Sequence, residues 1–173
     1  MQVENIEVRE ARPGDERLLV DLFDLLDRET EFMLFEPGER PASVERQAEL
    51  IEAFSESRRH LLLIAIEQDQ IVGFLGATGG QASRVRHVAD FAMGVVRAYW
   101  GKGVGKLLLS GLEGWAVEHG YHRIEMTVME SNERAQKLYL SKGYEVEGVR
   151  RCSMKSGGTF VNEVYMSKLL SIG

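Results

Sequence analysis

Apolar and polar residues alternate along the first half of the chain in patterns typical of both strands and helices. Residues 6–10 alternate apolar and polar side chains, as a half-buried strand does. Leucine and phenylalanine then recur at helical spacing over 18–26, and Ser43 is a suitable N-cap for a second helix. Three further apolar runs follow, at 61–67, 71–78 and 87–96. We therefore expect one strand, two helices and three strands, of which the first two form a hairpin.

The second half of the chain continues this alternation. The next helix ends at Gly120 and has one apolar face, formed by Val104, Leu108, Leu112 and Trp115. After it we expect a strand over 124–128, a helix over 133–141, and a closing hairpin of 144–149 with 159–166. The order β-α-α-β-β-β-α-β-α-β-β predicts a single α/β domain over 1–173, without a repeat or a linker.

Three glycines at alternate positions, Gly101, Gly103 and Gly105, separate the last of the three strands from the helix that follows. Glycine lets the backbone approach an anion closely, and the first N–H groups of a helix have no acceptor within the helix. The turn is therefore predicted to bind phosphate. A Walker-type loop is excluded because Leu107 stands where Ser or Thr is needed, and the dinucleotide fingerprint lacks its last glycine.

Length, charge and cysteine content narrow the classes of protein. A chain of 173 residues suits one domain, and 44% hydrophobic with 28% charged residues is ordinary for a globular protein. A net charge of −6 argues against nucleic acid as a partner. The sequence shows no run apolar enough to span a membrane and no signal-peptide pattern, and Cys152 is its only cysteine. We therefore expect a cytoplasmic protein that does not associate with membranes.

Two linked motifs resemble those of the GNAT superfamily of acyl-CoA-dependent N-acetyltransferases. That family carries Gln/Arg-x-x-Gly-x-Gly/Ala after a strand, and this chain reads Trp-Gly-Lys-Gly-Val-Gly over 100–105. Downstream the family carries an Asn, a short helix that ends in Tyr, and a Gly-aromatic pair. Here these are Asn132, Tyr139 and the pair at 143–144. The resemblance is detailed over 90–166 and departs from the family at Trp100, where Gln or Arg is usual.

The resemblance implies a fold and a cosubstrate. The GNAT fold is α/β (α+β), with a mixed, mostly antiparallel central sheet that is flanked by helices and splays apart where the strand before the glycine loop meets the strand after the loop helix. Acetyl-CoA would bind with its pyrophosphate on the loop amides and its thioester carbonyl polarised by a main-chain N–H. The cofactor contacts implied are Gly94, Val95, Val96, Gly101, Lys102, Gly103, Val104, Gly105, Lys106, Asn132 and Tyr139. Asn132 also suits a helix N-cap, and both lysines also suit solvated positions.

The resemblance also implies direct acetyl transfer in a ternary complex, without a metal. Tyr139 would be the general acid for the departing thiolate, because tyrosine, with a reference pKa of ~10, is protonated at neutral pH. Core packing is its other interpretation. Thr127 stands where some members carry a glutamate base, and Asp90 lies within a residue of the place where others carry one. Further candidates for the base are Glu130, Glu163, His87, Tyr165 and a chain of water molecules.

The regions that line the acceptor cleft in this superfamily correspond to residues 31–36 and 157–165. They combine carboxylates with apolar side chains, and the substrate contacts implied are Glu31, Phe32, Glu36 and Glu163. We expect a primary amine with an apolar portion: a small molecule, an amino acid or a protein N-terminus. The alternative function is a non-catalytic acyl-CoA-binding or regulatory module on the same fold. A homodimer is compatible with the sequence.

Overall fold

The computed structural model describes residues 5–171, which form seven strands and four helices. In chain order these are β1 (Glu7–Glu10), α1 (Glu16–Glu29), α2 (Val44–Ser55), β2 (His60–Glu67), β3 (Gln70–Gly79), β4 (Val88–Val95), α3 (Val104–Glu118), β5 (Arg123–Met129), α4 (Glu133–Ser141), β6 (Glu145–Ser156) and β7 (Thr159–Leu169). The order of elements predicted from the sequence is confirmed.

The strands form one sheet in the order β1-β2-β3-β4-β5-β7-β6. Neighbouring strands are antiparallel except β4 and β5, which are parallel and pair only over Val88–Asp90 and Arg123–Glu125. Beyond Asp90 these two strands diverge, so β4 keeps β3 as a partner on one edge and loses β5 on the other. The mixed, mostly antiparallel sheet and its splay are as the resemblance predicted.

Helices cover both faces of the sheet and divide the core in two. On one face α3 and α4 bury the larger cluster, which includes the whole predicted apolar face of α3. On the other face α1 and α2 cover a smaller cluster around Leu22, Ile51 and Phe74. Strands β2 and β3 are buried from both sides, and for this reason they read as almost continuous apolar runs in the sequence.

Two details differ from the sequence prediction. Strand β6 continues to Ser156 instead of ending at Val149, because its mostly polar second half pairs with β7 along the sheet edge and carries no apolar signal. Its register shifts between Arg150 and Met154, where Cys152 adopts a positive φ of 52°. Helix α3 begins at Val104 with Gly103 as its N-cap, so the third glycine, Gly105, lies inside the helix instead of separating it from the strand.

Candidate active site

The divergence of β4 and β5 opens a cleft of about 810 Å³. One half is formed by the glycine loop and α4, and the other by α1, the segment after it and the open face of the sheet. Of the predicted cofactor and catalytic residues, those that line this cleft are Gly94, Val95, Gly101, Gly103, Val104, Gly105, Lys106, Asn132, Tyr139 and Asp90. Phe32 and Glu163 of the predicted substrate contacts line it as well.

The glycine loop has the geometry of an anion site. Gly101 and Gly103 have positive φ values of 73° and 89°, which favour glycine, and Gly103 is the N-cap of α3. Within residues 5–171 the four amides from Gly103 to Lys106 have no backbone acceptor, because the first bond of the helix runs from the N–H of Leu107 to the Gly103 carbonyl, over 3.1 Å. These amides lie at the positive end of the helix dipole, which suits a phosphate group.

Lys102 differs from its neighbours in the loop. Its N–H donates to the carbonyl of Tyr99 over 3.3 Å, and its ammonium group lies 4.7 Å from the centroid of the Tyr99 ring. The residue is exposed and lies outside the cleft lining. Among the described residues, the amide of Lys102 is therefore already bonded within the loop, unlike those from Gly103 to Lys106.

Two arginines stack on Trp100, the residue at the position where the family motif has Gln or Arg. The guanidinium of Arg134 lies 3.0 Å from the centroid of the indole ring, and that of Arg97 lies 5.2 Å from it. Desolvation lowers the pKa of Arg134, and repulsion from Arg97 lowers it further. Two cations held this close beside the loop favour a bound anion. Arg134 is not among the contacts predicted from the sequence, although it lies two residues after the motif residue Asn132.

The end of β4 presents its backbone to the cleft. Successive residues of a strand direct their N–H groups to opposite edges, and the N–H of Val96 donates to Val72 of β3 over 2.9 Å. The N–H of Val95 therefore faces the open edge, whereas that of Val96 is already bonded and its side chain is buried in the core. A Cβ on Gly94 would lie 2.9 Å from Leu26 Cδ1, so a side chain at this position would displace the packing of α1 on the strand.

Asn132 and Tyr139 belong to opposite ends of α4, with Asn132 at its N-cap and Tyr139 in its last turn. Tyr139 is 6% exposed and packs edge-on against the ring of Phe91, 6.0 Å between centroids. Within residues 5–171 its hydroxyl has no hydrogen-bond partner, and burial raises the pKa of Tyr139 well above its usual value. The Asn132 side chain accepts a bond from the N–H of Ala135 over 3.2 Å, so the predicted N-cap is confirmed.

Three polar residues share the face of the sheet opposite α3. In the sequence, Asp90, Thr127 and Glu163 are each next to a residue whose side chain lies in the larger core. Because successive side chains of a strand point to opposite faces, these three point to the other face. Asp90 keeps contact with solvent in the cleft, yet desolvation raises its pKa to about 6, and the Glu125 carboxylate adds to the shift. A carboxylate that titrates near neutral pH suits a general base.

Glu163 is the buried carboxylate of this face, with 9% exposure. Its Oε1 accepts a bond from Thr127 Oγ1 over 2.7 Å, and its Oε2 accepts one from Arg150 Nη1 over 3.1 Å. Each carboxylate oxygen has a second lone pair, so Glu163 retains acceptor capacity toward the cleft.

The half of the cleft beside α1 is largely apolar. Its walls include Phe23, Phe32, Met33, Leu34, Phe35 and Phe74. Arg40 also lines it and lies between the rings of Phe23 and Phe35, 4.7 and 4.6 Å from their centroids. Its Nε and Nη2 donate to the carboxylate of Asp27, which is 3% exposed, over 2.6 and 2.9 Å. This pair fixes the segment after α1 over the cleft.

The remaining candidates lie outside the cleft lining. Glu31 is exposed and accepts a bond from Ser156 Oγ over 2.9 Å, and Glu36 is also exposed. The alternative bases Glu130, His87 and Tyr165 are also exposed and lie outside the cleft lining. Within residues 5–171 no group of three or more His, Cys, Asp or Glu could hold a metal ion, and no helix in that range has the length and hydropathy of a membrane span.

Phosphate-binding amides at the end of a splayed strand pair, with a tyrosine hydroxyl inside it, suit the enzymes that transfer acyl groups from coenzyme A. Comparison with known proteins identifies the family within this class. The sequence model of the Acetyltransferase (GNAT) family matches residues 19–144, and the chain belongs to this family. It is an acetyl-CoA-dependent N-acetyltransferase.

Individual relatives agree with this assignment. The chain is 31% identical over 111 residues to the L-amino acid N-acetyltransferase AaaT of Escherichia coli (strain K12), a match that covers 62% of this chain and 67% of the relative. A GNAT acetyltransferase structure from Streptococcus pneumoniae superposes with a TM-score of 0.91 at 28% identity, over 96% of this chain and 99% of that one. A phosphinothricin acetyltransferase from Sinorhizobium meliloti, solved with acetyl-CoA, shares the fold with a TM-score of 0.84 at 18% identity, over 98% and 90%.

Proposed function

We propose that this enzyme acetylates the primary amine of a small apolar acceptor, with α-amino acids that carry apolar side chains as the preferred class. The observation that carries the proposal is the half of the cleft beside α1, which we assign as the acceptor half and where phenylalanine and methionine walls meet the carboxylates of Asp90 and Glu163. Apolar walls favour an apolar side chain, and the carboxylates favour an ammonium group. The similarity to an enzyme named for L-amino acid acetylation supports the same class.

Arg40 favours an amino acid over a simple amine. Its side chain lines the acceptor half of the cleft, and its pair with Asp27 uses Nε and Nη2 but leaves Nη1 without a bond to that carboxylate. A guanidinium recognises a carboxylate well because its N–H groups are planar and fixed. In our proposal Nη1 contacts the carboxylate of the acceptor while Glu163 contacts its ammonium group.

The glycine loop and the end of β4 bind the cosubstrate in this proposal. The amides from Gly103 to Lys106 hold the pyrophosphate, and Arg134 adds a positive charge beside it. The N–H of Val95 bonds the thioester carbonyl and stabilises the negative charge that develops on its oxygen. Asn132 lies where the pantetheine arm passes between the loop and Tyr139.

The chemical steps follow from these positions. Asp90 accepts a proton from the ammonium group, and the neutral nitrogen attacks the thioester carbon. The tetrahedral intermediate expels the thiolate as the C–S bond breaks, and the thiolate takes the hydroxyl proton of Tyr139. The nitrogen loses its second proton to solvent, Asp90 releases the proton it accepted to solvent, and solvent restores the proton of Tyr139. Acetyl-CoA and the ammonium form of the acceptor thus give the N-acetyl product, CoA thiol and one proton.

An amine panel followed by thiol release tests the acceptor class. The panel contains leucine, phenylalanine, aspartate, lysine, phenethylamine and a peptide with a free N-terminus, each with acetyl-CoA. We expect kcat/KM to be highest for leucine and phenylalanine, and phenethylamine to be poorer because it lacks the carboxylate. A preference for aspartate, for lysine or for the peptide would contradict the proposal.

A further inference from the structure

Trp100 stands at the first position of the glycine motif, where the family carries Gln or Arg. Its indole Nε1–H donates a hydrogen bond to the carbonyl of Val95 over 2.6 Å. Gln, Arg and Trp differ in size and charge, but each has an N–H donor in its side chain, which Phe lacks. The shared property of the three residues is thus a hydrogen-bond donor.

The acceptor of this bond is a carbonyl at the open edge of the sheet. Beyond Asp90, β4 has no partner strand on that edge, so the Val95 carbonyl has no ladder bond to β5. The peptide that joins Val95 to Val96 is held from both sides, since its N–H donates to Val72 of β3 over 2.9 Å. The indole N–H of Trp100 thus donates the hydrogen bond that a neighbouring strand would otherwise donate to the Val95 carbonyl.

We propose that Trp100 is a positioning residue for acetyl transfer. By fixing the carbonyl of Val95, its indole N–H fixes the orientation of the residue whose own N–H faces the cleft. This inference rests on the proposed function, in which that N–H polarises the thioester. The indole ring has a second contact, because the Arg134 guanidinium stacks on it. The effect of the hydrogen bond to Val95 must therefore be separated by experiment from the effect of this stacking.

Three substitutions separate the hydrogen bond from the stacked ring. Trp100→Phe keeps an aromatic ring under Arg134 and removes the donor, whereas Trp100→Gln and Trp100→Arg keep a donor and remove the ring. We expect Trp100→Phe to lower kcat roughly tenfold to a hundredfold, as a small misplacement of a polarising group does, with little change in the Kd for CoA. We expect the Gln and Arg variants to retain kcat close to that of the wild type.

The measurements are kcat and KM for acetyl-CoA, the Kd for CoA, and thermal unfolding of each variant. Wild-type kcat in Trp100→Phe overturns the inference, as does an equal loss of kcat in all three variants, which would assign the role to the ring. If Trp100→Phe does not fold, the Gln variant decides, because loss of its kcat overturns the inference and retention supports it. A wild-type enzyme that acetylates none of the amines would instead refute the proposed function.

Discussion

Thr127 donates a hydrogen bond from its Oγ1 to Oε1 of Glu163 over 2.7 Å, and this bond joins the neighbouring strands β5 and β7. Thr127 occupies the position where some members of the family carry a glutamate base. Here a carboxylate reaches the same face of the sheet from the next strand, and Arg150 holds its second oxygen over 3.1 Å. These two bonds fix the Glu163 carboxylate on the wall of the cleft.

Replacement of this carboxylate tests its contact with the acceptor amine. Glu163→Gln keeps the size of the side chain and removes its charge, so we expect the KM for the acceptor to rise roughly tenfold to a hundredfold, the effect of a hydrogen bond to a charged group. The KM for acetyl-CoA should stay unchanged. Thr127→Val is the matched control, because it removes one bond to Glu163 but leaves the charge, and its effect should be smaller. An unchanged acceptor KM in Glu163→Gln would exclude this contact.

Removal of one hydroxyl group tests the general acid. Tyr139→Phe leaves the packing against Phe91 in place, and within residues 5–171 the lost hydroxyl has no hydrogen-bond partner. We therefore expect little change in the free energy of unfolding or in the Kd for CoA, and a fall in kcat of about 10²- to 10⁴-fold. Stopped-flow assays of thiol release and calorimetry with CoA measure the two effects. Full turnover in this variant would assign Tyr139 to packing alone.

The pH dependence of the reaction tests Asp90. A base acts in its deprotonated form, and the pKa of Asp90 is raised to about 6 by desolvation and by Glu125. We therefore expect kcat/KM for the acceptor to reach a plateau above this pH and to fall tenfold per pH unit below it. Asp90→Asn should lower the plateau and abolish this limb of the profile.

Glu125 supplies a control for the same prediction. Its carboxylate is a like charge that raises the pKa of Asp90, so Glu125→Gln should move the limb to lower pH and leave the plateau near that of the wild type. An acidic limb that persists in Asp90→Asn would show that another group accepts the proton.

The sequence predicted the conformation of the glycine loop and α4 better than it predicted which residues meet in the acceptor half of the cleft. Helix α4 runs over Glu133–Ser141, as predicted, because an N-cap residue and a terminal glycine mark its ends locally. The glycine loop was found for the same reason, since positive φ values at Gly101 and Gly103 demand a residue type that is visible in the sequence. A conformation that depends on the residue type at one position can therefore be predicted from the sequence.

The acceptor side depends on contacts between segments far apart in the chain. The pair of Thr127 and Glu163 spans 36 residues and follows from the register of β5 with β7, which no local pattern specifies. Glu31 and Glu36 belong to the predicted loop, but only the arrangement around Asp27 and Arg40 decides which of its side chains face the cleft. Alternation along a strand gives its two faces, but register decides which residues meet.

The positive φ of the loop glycines gives a prediction about cosubstrate binding. Gly103→Ala places a Cβ on a residue with φ of 89°, which costs about 1 to 2 kcal/mol in the left-handed region. We expect the loop amides to shift and the Kd for acetyl-CoA to rise roughly tenfold. Gly114→Ala is the control, because this exposed glycine inside α3 has no neighbour near its Cβ and should stabilise the helix by about 1 kcal/mol. Equal Kd values for the two variants would contradict the role of the loop.

The ion pair of Asp27 with Arg40 gives a prediction about stability and acceptor choice. Arg40→Met leaves a carboxylate that is 3% exposed without its partner, so we expect the free energy of unfolding to fall by about 3 kcal/mol. The double variant Asp27→Asn with Arg40→Met removes both charges and should recover most of this loss in denaturant unfolding.

The double variant also tests the contact of Arg40 with the acceptor carboxylate, because the segment after α1 keeps its packing. In the wild type we expect phenylalanine to be acetylated with a higher kcat/KM than phenethylamine, which differs by the carboxylate alone. Loss of the Arg40 guanidinium should reduce this ratio roughly tenfold, since a charged hydrogen bond disappears for one acceptor and not for the other. A ratio that stays constant in the double variant would show that Arg40 fixes the segment and does not contact the substrate.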